Sequence, residues 1–250
     1  MSLQPPKSFA PFTRFSRLIC LGWWLTTLLP VTGYQPQTFH FTVQNAIPDG
    51  DLAGLADAHL LPPGPAPIES ITVTLALSPA PEGGFLGDLF VSLTRLETGY
   101  TVLLNRPGRT GQRPFGYSDG VPVQITFDDE AAYDIHKYRS FLTGNDDLPL
   151  DRPLTGVWQP DGRTNHPDFV LETDLRAAPL SDMSGLSQEG TWILFLADVS
   201  SGGAYILESW TLEVRYVPEA RVSTLLSLAL LSAWLLRRFR RRTAPSSRPR

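Results

Sequence analysis

Four segments of the chain alternate apolar and polar side chains with a period of two. Ile71, Val73, Leu75 and Leu77 interleave with Thr72, Thr74 and Ala76, and Leu89, Val91 and Leu93 with Phe90, Ser92 and Thr94. Val121, Val123, Ile125 and Phe127 repeat the spacing. Trp210, Leu212, Val214 and Tyr216 then share one side against Ser209, Thr211, Glu213 and Arg215. Successive side chains of a strand point to opposite faces, so this spacing buries one face of a sheet and wets the other. The run from Trp192 to Ala197 is apolar on both sides and is expected as an interior strand. Turn-forming groups separate the runs: Pro81-Glu82-Gly83-Gly84, Arg106-Pro107-Gly108, Ser118-Asp119-Gly120, Pro160-Asp161-Gly162 and Ser201-Gly202-Gly203. A period of 3.6 is hinted at only in Leu52–Leu60, expected to be one helical turn or a loop. With 23 Pro and 20 Gly among 250 residues, a helical bundle is disfavoured. Residues 34–216 are therefore expected to form one all-β domain, an antiparallel β-sandwich. Trp192 and Trp210, both on strand patterns, are expected in its core rather than on a ligand platform. Trp158, beside Pro160 and Gly162, reads as part of a loop.

The charge is segregated along the chain. Residues 1–33 hold Lys7, Arg14 and Arg17 and no acid; residues 221–250 hold eight Arg and no acid. The middle carries all 25 Asp and Glu against 10 Lys and Arg, a net charge of −15. A surface that acidic repels phosphate, which argues against a nucleic-acid partner. The basic start, the apolar run Leu18–Val31 and the small residues up to Gly33 are expected to form a signal peptide over 1–33, with a retained signal anchor as the alternative. Cys20, the sole cysteine, lies inside that run, so a cleaved chain has no disulfide. At the other end Val222–Leu236 is free of charge and is followed by Arg237, Arg238, Phe239 and Arg240–Arg242. Fifteen residues make a helix of about 22 Å. Snorkelling Arg at both ends would let it span a membrane, with the Arg cluster cytoplasmic and the acidic domain outside.

That ending resembles the PEP-CTERM sorting signal of Gram-negative bacteria, a Pro-Glu-Pro motif, a helix and an Arg cluster. Val217, Pro218, Glu219 and Ala220 stand at the motif, with Ala220 replacing the second Pro, and Arg237 and Arg238 begin the cluster. The resemblance implies a sorting region over 217–242, a cytoplasmic tail over 243–250, and an exosortase-type enzyme as processing partner. The middle has its own resemblance. Ile47-Pro48-Asp49-Gly50, Gly87-Asp88-Leu89, Asn105-Arg106-Pro107-Gly108 and the closing Gly190-Thr191-Trp192…Asp198…Gly202-Gly203…Leu207-Glu208-Ser209-Trp210 are similar to the P/Homo B domain. That domain follows the catalytic domain of kexin- and furin-like proprotein convertases. It implies a jelly-roll sandwich of about eight strands and a supporting or binding role.

A subtilisin-like protease needs Ser, His and Asp in one constellation. The four His are His40, His59, His136 and His166, and none stands in a His-Gly-Thr context; no Gly-Thr-Ser offers a nucleophile. No catalytic residue is therefore expected. His136, close to Asp134, reads as a structural histidine, and no His has zinc-ligand spacing. Calcium, which takes hard oxygen ligands from loops, is the cofactor the acids suit. Asp128 and Asp129 at a strand end lead; Asn145-Asp146-Asp147 with Asp151, Asp49, Asp51 and Asp198 follow. The expected function is a non-catalytic, exported cell-envelope or matrix module offering its loops to a polysaccharide or a partner. The alternatives are an accessory domain to a separately encoded serine protease and a calcium-dependent carbohydrate-binding module.

Overall fold

A computed structural model describes residues 33–218 of the chain, together with Ser232 and Trp234. Nine strands build two sheets: β1 (Gln37–Ala46), β2 (Leu55–Leu61), β3 (Ile68–Pro79), β4 (Leu89–Arg95), β5 (Gly99–Asn105), β6 (Val123–Phe127), β7 (Leu154–Trp158), β8 (Gly190–Asp198) and β9 (Tyr205–Tyr216). One sheet has the order β1-β9-β3-β6-β7, the other β2-β8-β4-β5. All pairings are antiparallel except β6 with β7.

The alternating residues fill one buried cluster between the sheets. Val73, Leu75, Ile125, Phe127, Trp210, Leu212 and Val214 enter it from the five-stranded sheet, and Leu89, Val91, Leu93, Trp192, Leu194 and Leu196 from the other. Trp192 and Trp210 are almost wholly enclosed. Neither indole N–H is left bare: Trp192 Nε1 donates to the Gln188 carbonyl at 2.9 Å, and Trp210 Nε1 to Asp57 Oδ2 at 2.6 Å. The doubly apolar run is β8, which lies inside its sheet between β2 and β4.

Two local expectations are corrected. Leu52–Leu60 is neither a helical turn nor a loop, because most of it is β2, an edge strand. Its inward positions Leu55, Asp57, His59 and Leu61 include a polar pair, which broke the period of two. Phe41 stacks on His59 at 3.8 Å, and Asp57 accepts from His59 as well as from Trp210. Inward charge on an edge strand also discourages pairing with another chain. Trp158 is not in a loop; it ends β7, buried, with Nε1 donating to the Thr155 carbonyl at 3.0 Å. A short helix, α1 (Tyr138–Thr143), too brief to show a period, follows β6.

Residues 1–32, Glu219, Ala220, Arg237, Arg238 and the tail lie outside the described residues, as does Val222–Leu236 apart from Ser232 and Trp234. Among the described residues no helix is long and apolar enough to cross a membrane.

Candidate functional site

Register places many connections at one end of the sandwich. Leu89 pairs with Asp198, Phe90 with Asn105, Ala46 with Ile206, and Pro79 with Tyr205. The turns after β1, β5 and β8 and the segment before β4 therefore meet there. The segment before β4 and the connections after β5 and β8 form a cleft of about 500 Å³ lined by Phe85, Asp88, Phe115, Gly116, Tyr117, Ser118, Ser200 and Ser201. Phe115 is 67% exposed and Phe85 39%, whereas Asp88 below them is 5% exposed. Two open rings, hydroxyls and a carboxylate suit a ligand with both an apolar face and hydroxyl groups.

Arg106 holds this end together. It follows β5 with a backbone φ of +47°, a left-handed conformation uncommon outside Gly. Its Nε donates to the Gly87 carbonyl at 3.1 Å, Nη1 to Asp168 Oδ1 at 3.0 Å, and Nη2 to Asp88 Oδ1 at 3.0 Å and to the Ser200 hydroxyl. The guanidinium also lies 5.8 Å from the centre of the Phe115 ring. One buried cation thus ties four segments under the cleft. Gly87 is required by close approach: a Cβ there would sit 2.4 Å from the Phe115 carbonyl oxygen.

Beside Arg106 the balance of charge fails. Asp198 is fully buried; Oδ1 accepts from the Ser200 N–H at 3.2 Å, the Gly50 N–H also bears on the carboxylate, and Oδ2 has no partner within strict hydrogen-bond geometry. Burial, with the charges of Asp88 and Asp49 adding to it, pushes the Asp198 carboxyl up to about 7 against the pull of the Ser200 and Gly50 N–H groups. Burial raises Asp88 too, opposed by Arg106. Asp49 is exposed and accepts from the Gly202 N–H at 3.0 and 3.3 Å.

Comparison with known proteins gives a sparse result. No family model matches the chain, and no curated protein matches it. Among solved structures it is similar to the serine protease of Aeromonas sobria. In that protease's complex with the chaperone ORF2 the TM-score is 0.39 at 16% identity, over 77% of this chain and 28% of that one. For the protease alone it is 0.37 at 16% identity, over 75% and 27%. The chain thus spans little more than a quarter of those chains.

The other expected site residues are placed elsewhere. Asp128 Oδ1 accepts from the Glu130 N–H at 2.9 Å, and Asp129 accepts from the N–H groups of Leu180 and Ser181 at 3.1 and 2.7 Å. Asp146 accepts from the Tyr117 hydroxyl at 2.6 Å, and Asp147 pairs with Arg113. Among the described residues no three His, Cys, Asp or Glu side chains converge as a ready metal site. Val217 and Pro218 follow β9 directly, both exposed.

Both ring nitrogens of His136 are engaged within the fold. Its Nε2 faces the Arg109 carbonyl at 3.0 Å and must donate there. Nδ1 faces Asp161 Oδ2 at 2.7 Å. Burial disfavours the charged ring, but the bond to Asp161, its charge and the Arg109 carbonyl outweigh burial and raise the pKa. Arg163 completes a cluster, bonding Asp161 Oδ1 at 3.1 Å and Asp134 Oδ2 at 2.8 Å. Arg106 and Asp88 stand in sequences quoted above for the family resemblance, yet no spacing rule marked them for chemistry. A buried Arg–Asp pair depends on which loops meet, not on separation in the chain.

Proposed function

We propose that the protein is a non-catalytic, exported jelly-roll module that binds an extended glycan of the cell envelope or matrix at its loop end. The observation that carries this reading is the cleft, with the exposed Phe115 and Phe85 rings above Asp88, Ser200 and Ser201. A pyranose offers an apolar face to a ring and hydroxyls to carboxylate and serine oxygens. The supports beneath are buried, so little ordering cost attends binding. Export and C-terminal sorting by an exosortase-type system belong to the same proposal and rest on the acidic middle, the basic ends and Val217-Pro218-Glu219-Ala220. The test is a glycan array probed with the purified protein and with Phe115→Ala. The reading expects binding to a restricted set of glycans that the variant loses. A flat profile, together with co-purification of an inhibitor-sensitive serine protease from the native envelope, would replace it with the accessory-domain alternative.

A further inference from the structure

We propose that the pole of the sandwich opposite the cleft rests on a lipid bilayer, with Leu60, Leu96 and Val217 in its interfacial layer and the cleft facing away from the membrane. The proposal rests on the reading that Val222–Leu236 enters that bilayer, and adds to it an orientation. The register of the strands separates the two poles. β9 starts at Tyr205, paired with Pro79 at the cleft end, and finishes at Tyr216, paired with Ile68. Its 12 residues set the poles roughly 35 Å apart. The Val217 N–H then donates to the Pro67 carbonyl at 3.0 Å, so the chain leaves the domain at the far pole. It enters there too: the Tyr34 ring meets Tyr216 edge-on at 6.4 Å, and a Cβ on Gly33 would lie 3.9 Å from Pro218 Cγ.

The tether sets how close that pole comes to lipid. Glu219, Ala220 and Arg221 alone separate Pro218 from the apolar run. Fully extended, the steps from Pro218 to Val222 reach about 14 Å, far short of the roughly 35 Å up to the cleft. The surface of the pole suits an apolar contact. Leu60 pairs with Thr191 across β2 and β8, and the Leu96 N–H donates to the Thr191 carbonyl at 2.9 Å. Two leucines, 77% and 51% exposed, thus flank one position at the end of the four-stranded sheet, and the exposed Val217 stands at the chain exit. Between β2 and β3 the exposed Pro62, Pro63, Pro65 and Pro67 have no N–H for lipid to leave unpaired. The charges in these segments are Glu69, Glu97, Glu189 and Glu213 against Arg95 and Arg215. That acidic excess favours a neutral lipid surface over an anionic one.

The experiment reconstitutes the full-length protein into phosphatidylcholine vesicles, with Cys20→Ser so that single labels can be placed. Leu60→Cys, Leu96→Cys and Phe115→Cys, all at exposed positions, each carry a fluorophore, and quenching is read against lipid spin-labelled at its headgroup. Flotation of the vesicles shows first whether the protein is anchored. The expected result is co-flotation, with the labels at 60 and 96 quenched about fivefold or more above the label at 115, which stands roughly 35 Å higher. Co-flotation with equal quenching at all three positions, or with the strongest at 115, would overturn the orientation and leave the anchor standing. Protein that stays at the bottom of the gradient would remove the anchor and the proposal with it.

Discussion

Two buried polar clusters of this molecule are built from the same residue types and end in opposite states. In the first, His136 and Arg163 face Asp134 and Asp161, a histidine whose pKa is raised and a guanidinium against two carboxylates. All four carboxylate oxygens there have partners, and the one orphan is Arg163 Nε. In the second, Asp88 and Asp168 share Arg106, while Asp49 and Asp198 have no ion pair among the described residues, and Asp198 Oδ2 has no side-chain partner. A cluster whose carboxylates are all bonded is a brace, because no acceptor there is left for a cation to satisfy. An open one is a place where something from outside can bind at a gain. Position agrees with charge: the open cluster lies under the cleft, among loops that can adjust, whereas Asp161 is bonded to β5 by its own N–H and the Leu103 carbonyl at 3.0 Å.

The apolar core sets the scale for testing that contrast. Trp210→Ala should cost about 3–5 kcal/mol in urea unfolding, since the ring is enclosed between the sheets. Loss under about 1 kcal/mol would place it outside the core. Asp161→Ala should cost about 3 kcal/mol, by leaving the buried His136 ring without its carboxylate and the Arg163 guanidinium with Asp134 alone. A small change there would mean that the first cluster is no brace, and the comparison would break.

A gentler probe of the closed cluster is pH. The folded His136 pKa lies above its ordinary value. The stability it supplies is therefore complete below about pH 6.5, the unfolded value, and is lost as pH rises through the folded one. Urea midpoints measured from about pH 6 to about pH 9 should fall with rising pH, and His136→Gln should flatten the slope. An equal slope in the variant would assign the fall to another group.

How much of this was legible beforehand depends on how local each signal is. The strands β3, β4, β6 and β9 announced themselves because apolar alternation is a property of neighbouring residues. β2 did not, because Asp57 and His59 occupy inward places and are neutralised by Trp210 and Phe41, far away in sequence. Among the acids, Asp128 and Asp129 stood out by their place at a strand end; in the fold both accept backbone N–H groups, a use of an acidic side chain that the sequence does not separate from cation binding. Asp49, Asp88 and Asp198 are brought near one another by the register of β4 on β8 and by the turn after β1. No spacing in the chain expresses that.

The open cluster invites the converse substitution. Asp198→Asn, measured in chelator, should change stability by within about 1 kcal/mol. Asparagine keeps an oxygen for the Ser200 N–H and relieves repulsion from Asp49 and Asp88, while its amide lacks an acceptor where Oδ2 had no partner. A loss as large as that of Asp161→Ala would show that the second cluster is as closed as the first.

The smallest expected stability effect carries the sharpest functional reading. Phe115 is exposed, and its ring meets the Arg106 guanidinium only at 5.8 Å, so Phe115→Ala should leave stability within about 0.5 kcal/mol. Its backbone is another matter, since the Phe115 carbonyl sits where a side chain at residue 87 would go, and alanine preserves that contact. Folding and binding are thereby separated at one residue. Glycan binding lost with the unfolding curve unmoved places recognition on the ring itself. Binding kept would move recognition off the cleft, while a stability loss above about 1 kcal/mol would make the ring a part of the Arg106 support.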